Sequence, residues 1–412
     1  MSNNVYIVGA GMTKMGRDIA RPLNDFAAEA VNEALVDSGV DPEEIGFAAF
    51  GNNMKAILWR EGVTTPGQLA LWHMGHAGIP TVNVENGCTS ASSAFHLAVQ
   101  AIRSGATDFA LAFGAEKTNH PDKQRMLESF AAAVDPDSWD DSVVELTRHA
   151  PAGDFETGEG DRSAFMGIYG YVTRAHMGRF GTTQRQIAAI AAKNHTHASM
   201  NDKCAYTQPM TVDEVLAGRA IDYPLTVPMC SPFTDGSAAM VLASEAGLKK
   251  LRNARPVKVL ASALGSSMQR SWDDFENNIT RRLAVKAYKE SGLGPDDMHL
   301  AEIHDATAFG ELFETEMLGF CPIGEGGPFA ESGATTLGGR IPVNVSGGLE
   351  SRGHPIGATG CAMLYELVTQ LRGEAGARQV QGARNAILEN GGGFLGVEPA
   401  AAVVAILTNE LR

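Results

Sequence analysis

A chain of 412 residues carries 33 Lys+Arg against 48 Asp+Glu, a formal charge of −15, with 44% hydrophobic residues and 46 glycines. That apolar content excludes a disordered regulator or a coiled coil, and the acidity argues against a nucleic-acid partner, whose phosphates need clustered cations. No apolar run approaches the ~20 residues of a membrane span.

The first residues, Met1 to Met12, include no basic leader and no cleavage pattern, so no signal peptide is expected. Cys88, Cys204, Cys230, Cys321 and Cys361 are odd in number, widely spaced and never arranged as C-x-x-C. A disulfide framework, a zinc ribbon or a metal centre is therefore not expected, and a reducing cytoplasm is the expected compartment.

Val5–Val8 reads as a strand running into Gly9-Ala-Gly11. A dinucleotide fingerprint needs a third glycine where Lys14 stands, so nicotinamide binding is not expected. Phe26–Val36 has helical apolar spacing, with Asn24 as cap and Gly39 past the end. Ile45–Gly51 reads as a strand, Gly67–His76 as a helix and Pro80–Val84 as a strand. The turn Glu85-Asn-Gly-Cys88 then leads into a helix over Thr89–Arg103, closed by Gly105, and Phe109–Gly114 is again strand-like. This alternation predicts an α/β fold with a largely parallel sheet.

Residues 120–205 break the pattern. Glu128 to Asp161 contains ten acids against Arg148, which reads as a solvated loop. Ser163 to Lys203 carries Arg174, Arg179, Arg185, Lys193 and Lys203 against Asp202 alone, either an anion-binding surface or a charged helix face. The α/β pattern resumes at Val257 with an internal echo. Pro342-Val-Asn-Val-Ser-Gly-Gly348 repeats the plan of Pro80-Thr-Val-Asn-Val-Glu-Asn-Gly87, each followed by a helix of small residues, a glycine and a closing strand, the second at Ala386–Leu388. The expectation is a duplicated fold with its site where the two turns meet. The halves are residues 1–119 plus 206–255 and residues 256–412, with residues 120–205 as an inserted loop domain.

Cys88 stands at a helix N-terminus, where unpaired N–H groups favour a thiolate, and so reads as a nucleophile. His354, in Gly353-His-Pro-Ile-Gly-Ala-Thr-Gly360, is the candidate base to activate it. His304, in Glu302-Ile-His-Asp-Ala-Thr-Ala308, is a candidate donor to a carbonyl oxygen or a structural partner of Asp305. Leu388-Glu-Asn-Gly-Gly-Gly393 supplies free N–H groups for an oxyanion hole, or is a plain turn.

Together, Asn86-Gly-Cys88-Thr-Ser-Ala-Ser, His304-Asp-Ala-Thr-Ala308, Asn344-Val-Ser-Gly-Gly, Gly353–Gly360 and Gly391–Gly393 resemble the thiolases, over essentially the whole chain. Gly9-Ala-Gly11-Met-Thr-Lys looks most like the sterol-carrier-protein-type and archaeal-type branches. The resemblance implies a thiolase fold, two similar α/β halves in a five-layer αβαβα arrangement, assembled as a homodimer or dimer of dimers. It implies exchange of acyl groups between coenzyme A and a carbon nucleophile, with acyl-CoA substrates. Cys88 would carry the acyl group and His354 would activate it. The N–H groups of Cys88 and Gly393 would form one oxyanion hole, with His304 or a water in the other. Ser231 matches a position that touches the pantetheine arm, and Arg174 and Arg179 of the basic stretch are expected to meet the CoA phosphates.

The sequence departs from the family at its second cysteine. The two places where relatives carry it hold Glu389 and Ala306 here. Glu389 is the expected replacement base, with burial raising its pKa from ~4.3 toward ~6–7. The alternatives give proton transfer to His304 or His354. The same gap leaves open an acyl-CoA or lipid carrier, or a retro-aldolase completed by an OB-fold, zinc-ribbon partner docking on the acidic run. Trp139, Phe165, Met166, Tyr169 and Met177 are the expected lining of an acyl pocket.

Overall fold

In a computed structural model, residues 4–59, 64–135, 137–153, 155, 158 and 163–411 are described. Of the acidic run, Asp154, Glu156, Glu159 and Asp161 lie outside them.

The first half contributes β1 (Val5–Met12), α1 (Leu23–Ser38), β2 (Phe47–Gly51), β3 (Thr81–Val84), α2 (Ser90–Arg103), β4 (Phe109–Glu116) and β5 (Gly236–Ser244). Between β4 and β5 the chain leaves the sheet, and its main elements there are α3 (Ala164–Phe180) and α4 (Gln184–Ala198). The second half contributes β6 (Val257–Ser266), α5 (Ile279–Ser291), β7 (Leu300–Glu302), α6 (Ala308–Met317), α7 (Thr359–Leu371), β8 (Asn385–Gly392) and β9 (Ala401–Thr408).

The strands run β3-β2-β4-β5-β1-β6-β9-β8-β7, and Val343 bridges to Ala301 of β7 at the far edge. Read outward from the β1–β6 junction, the two halves have the same strand order, which is the duplication expected from the paired motifs. The junction is short: Val5–Ile7 pair with Val257–Val259. Five of the eight pairings are antiparallel and three parallel, so the expected largely parallel sheet is corrected to a mixed one. Four of the five antiparallel pairings belong to β5 and its counterpart β9, which return between their neighbours, and the fifth is the β1–β6 junction.

Period-two alternation explains the layers. In β5, Ala238, Met240 and Leu242 face the central helices α2 and α7, whereas Ala239, Val241 and Ala243 face α1. In β9, Val403, Ala405 and Leu407 face the same central pair, and Ala402, Val404 and Ile406 face α5. Five layers result: α1, half-sheet, α2 with α7, half-sheet, α5.

Close approach sets the glycines. A Cβ on Gly9 or Gly11 would lie 2.1 Å from the carbonyl of Ala34 or Ala30, so these two serve helix packing rather than a nucleotide. Helix α1 starts after Pro22, which places Asn24 inside its first turn rather than at the cap; Gly39 does end it, at φ 67°. No helix among the described residues is long and apolar enough to cross a membrane.

Candidate active site

Cys88 lies in a 3-10 turn, Gly87–Thr89, that opens α2. Gly87 has φ 56°, and a Cβ there would lie 2.7 Å from the Gly393 nitrogen; one on Gly392 would lie 2.4 Å from Asn86 O and 2.5 Å from Thr89 N. Only bare backbone lets the end of β8 press against the nucleophile turn. The Cys88 sulfur accepts from the N–H of Gly393 and from its own N–H.

The mirror-image element of the second half delivers His354, after Gly353 at φ 111°. Its Nε2 is 3.1 Å from Cys88 Sγ, and its Nδ1 is 2.7 Å from Thr359 Oγ1. The Thr359 hydroxyl donates to Pro355 O at 3.1 Å, so it accepts from Nδ1–H. That leaves the Nε2 lone pair facing the thiol, the tautomer a base requires.

Electrostatics reverses one expectation. Burial pushes the Cys88 thiol up to about 12, against the N–H donors and with added repulsion from Glu116. Burial also holds His354 well below its ordinary value, followed by the charges of His304 and Arg352. Both shifts favour a neutral thiol and a neutral imidazole over a helix-stabilised thiolate.

The His304 ring stands 5.2 Å from that of His354, at 66°. A ring nitrogen of each histidine and the Cys88 sulfur lie within 4.8 Å of one another. Burial pushes His304 down to about 4, and its Nε2 has no hydrogen-bond partner among the described residues.

Glu389 is brought near but not in. Its Oε2 accepts the His304 backbone N–H at 3.1 Å and its Oε1 accepts from Thr280 at 3.4 Å. Burial, then the neighbouring Glu314, raises its pKa well above the usual carboxylate range. It does not line the cavity that Cys88 opens into.

That cavity, about 890 Å³, has Gly87, Cys88, His354 and Gly393 in its wall. Phe165, Met166 and Tyr169 line it as expected, together with Ser231 and Ala306, whereas Trp139 and Met177 do not. Cys230 also lines it.

The basic stretch is a correction. Arg174 is 5% exposed and paired with Asp222 at 2.5 Å, Arg185 with Asp213, Lys193 with Glu311 and Lys203 with Glu33. Arg179 is exposed, its guanidinium 6.0 Å over Phe180, and does not line the cavity. The cations that do line it are Arg17, Lys123 and Arg219, all exposed. They come from three distant segments, so no local charge run announced them. Thr359 was visible in the motif, five residues after His354, but its role is not.

A thiol and an imidazole delivered by equivalent turns of two duplicated α/β halves have the geometry of an activated nucleophile. "Thiolase, N-terminal domain" matches residues 5–215 and "Thiolase C-terminal domain-like" matches residues 261–409, and the chain belongs to the thiolase family. It is 36% identical to "Sterol carrier protein 2" of Bos taurus, over 95% of this chain and 70% of that one. It is 35% identical to "Acetyl-CoA acetyltransferase" of Methanothermobacter thermautotrophicus, over 95% and 96%. To "Benzoylsuccinyl-CoA thiolase subunit BbsB" of Thauera aromatica it is 33% identical, over 92% of each. Among solved structures, "Ltp2-ChsH2(DUF35) aldolase" covers 100% of this chain and 99% of that one at TM-score 0.76 and 22% identity, a likeness of fold.

Proposed function

We propose that this protein transfers acyl groups to and from coenzyme A, cleaving or forming a β-ketoacyl thioester through an acyl group held on Cys88. The observation that carries the reading is the 3.1 Å contact between Cys88 Sγ and a His354 Nε2 whose tautomer Thr359 sets. Cys88 attacks the substrate carbonyl while its proton moves to Nε2, so charge separates only as the S–C bond forms. The N–H groups of Cys88 and Gly393, which meet at the sulfur, stabilise the oxygen that becomes negative. His304 supplies a second donor through its unpartnered Nε2. Glu389 is a positioning residue that holds the His304 backbone. Arg17, Lys123 and Arg219 meet the CoA phosphates in place of Arg174 and Arg179, and Ser231 lies along the pantetheine path. Cytoplasmic location, a homodimer and the division into two halves with a loop domain at 120–205 belong to the same reading.

A second reading, retro-aldol cleavage with an OB-fold partner subunit, is favoured by one observation. Position 306 is alanine and Glu389 does not line the cavity, so neither expected place offers it a second acid–base group. Intact-protein mass after mixing with an acyl-CoA separates the two. Acyl transfer predicts a gain of one acyl group that is lost in Cys88→Ala; tight binding with no mass gain supports a non-catalytic acyl-CoA carrier or an aldolase completed by its partner.

A further inference from the structure

Four carboxyl groups that play no part in the steps above lie buried together behind the His304 loop: Glu302, Asp305, Glu311 and Glu350. The buried cations beside them are Lys193, 2.6 Å from Glu311, and Arg352, 3.1 Å from Glu302. The side-chain amide of Asn194 lies 3.1 Å from Asp305 Oδ2, 3.0 Å from Glu311 Oε2 and 3.4 Å from Glu350 Oε2. An amide has two N–H bonds, so three carboxylates cannot each receive one. Four ionised carboxyls against two cations would also leave uncompensated charge in a water-excluded interior. Protons therefore reside within the cluster. Burial, followed by the charge of a neighbouring carboxyl, holds both Asp305 and Glu350 well above the usual range.

Glu350 differs from its neighbours in its place. It stands in the wall of the cavity that holds Cys88, four residues before His354 on the short helix Gly348–Arg352. It is 1% exposed, and its Oε1 has no hydrogen-bond partner among the described residues. Ala306 is buried and Cys230 half-buried in the same wall, whereas Arg17, Lys123 and Arg219 are exposed. A buried donor left unpaired by a plain hydrocarbon chain is satisfied by a chain that brings an oxygen to it.

We propose that Glu350 is a specificity residue, a proton-bearing carboxyl that donates to a hydroxyl or carbonyl oxygen of the acyl group beyond its β-carbon. The preferred substrates are then oxygenated acyl thioesters rather than plain ones. The inference rests on the acyl-transfer reading, and the test separates the two. Acyl-CoAs of one carbon skeleton, plain and hydroxylated at successive carbons, are offered to the full-length protein, and Cys88 acylation rates are read by intact mass. At one hydroxyl position the wild type is expected to prefer the oxygenated partner roughly ten- to a hundredfold. That ratio should fall to near one in Glu350→Met and largely survive in Glu350→Gln, whose amide still donates. A plain chain acylated as fast as every hydroxylated one, or a preference that persists in Glu350→Met, overturns the proposal alone. Absence of acylation with every compound overturns the acyl-transfer reading as well.

Should Glu350→Met fail to fold, infrared difference spectra of the wild type and Glu350→Gln decide. A protonated-carboxyl band that shifts on adding the preferred hydroxylated acyl-CoA, and is missing in Glu350→Gln, supports the assignment. An equal shift with the plain acyl-CoA places the contact on the CoA arm and overturns it.

Discussion

Thr359 decides which nitrogen of His354 carries the proton. Replacing its hydroxyl by a methyl in Thr359→Val leaves Nδ1–H without an acceptor, so the unproductive tautomer gains population. Single-turnover acylation of Cys88 should slow roughly ten- to a hundredfold, with substrate affinity little changed and recovery in Thr359→Ser. A rate within twofold of wild type in Thr359→Val would remove Thr359 from the mechanism. Glu116 works at the same scale. It accepts from Asn53 N, Met54 N and Gly357 N at 2.9–3.1 Å, tying a loop of the first half to the turn that carries Thr359. Burial raises its pKa from 4.5 to about 7, against those donors. The folded chain thus holds this proton more tightly than the unfolded one. The stability it contributes is full below about pH 4.5 and is lost as pH rises through about 7, on the order of 3 kcal/mol in all. Urea unfolding at about pH 4.5 and about pH 8 should show a larger loss in wild type than in Glu116→Gln. Parallel losses would contradict the assignment.

Among elements, the helices and strands with strong periodicity were legible within a few residues: α2 and β4 from their apolar pattern, α1 from its spacing and Gly39. Strand direction was not, because period-two alternation is the same in parallel and antiparallel pairs. The glycine loop closing β8 was legible as free backbone, but its contact with the Cys88 turn, 301 or more residues away along the chain as Thr89 Oγ1 reaches Asn390 O, was not. That contact makes Gly392 a sharp test. A methyl in Gly392→Ala would lie 2.4 Å from Asn86 O and 2.5 Å from Thr89 N, backbone atoms that cannot step aside alone. Acylation should fall by roughly a hundredfold as the Gly393 N–H leaves the sulfur, with a lowered melting temperature as the loops separate. Wild-type acylation in Gly392→Ala would mean that Gly393 is no oxyanion donor.

Across the whole molecule, the halves meet along three residue pairs of strand and along α2 against α7, where a Cβ on Gly360 would lie 2.4 Å from Ser92 N. This seam brings Cys88 of one half to His354 of the other. The insertion packed on the first half brings Lys123 to Arg17 and Arg219 around the same cavity. Reversing their charges together should raise KM for acyl-CoA about tenfold, more at low salt, with kcat nearly preserved. An unchanged, salt-insensitive KM would place the phosphates elsewhere. The sequence by itself determined the duplication and marked Cys88 and His354 as candidates for one site, because those depend on short motifs whose chemistry is local: a turn, a helix start, a glycine loop. Only the tertiary structure decided that Arg174 is consumed by Asp222, that Glu389 lies behind His304 and that Glu350 reaches the cavity. A side chain's charge state and partner follow from what is packed around it, and folding brings those neighbours from anywhere along the chain.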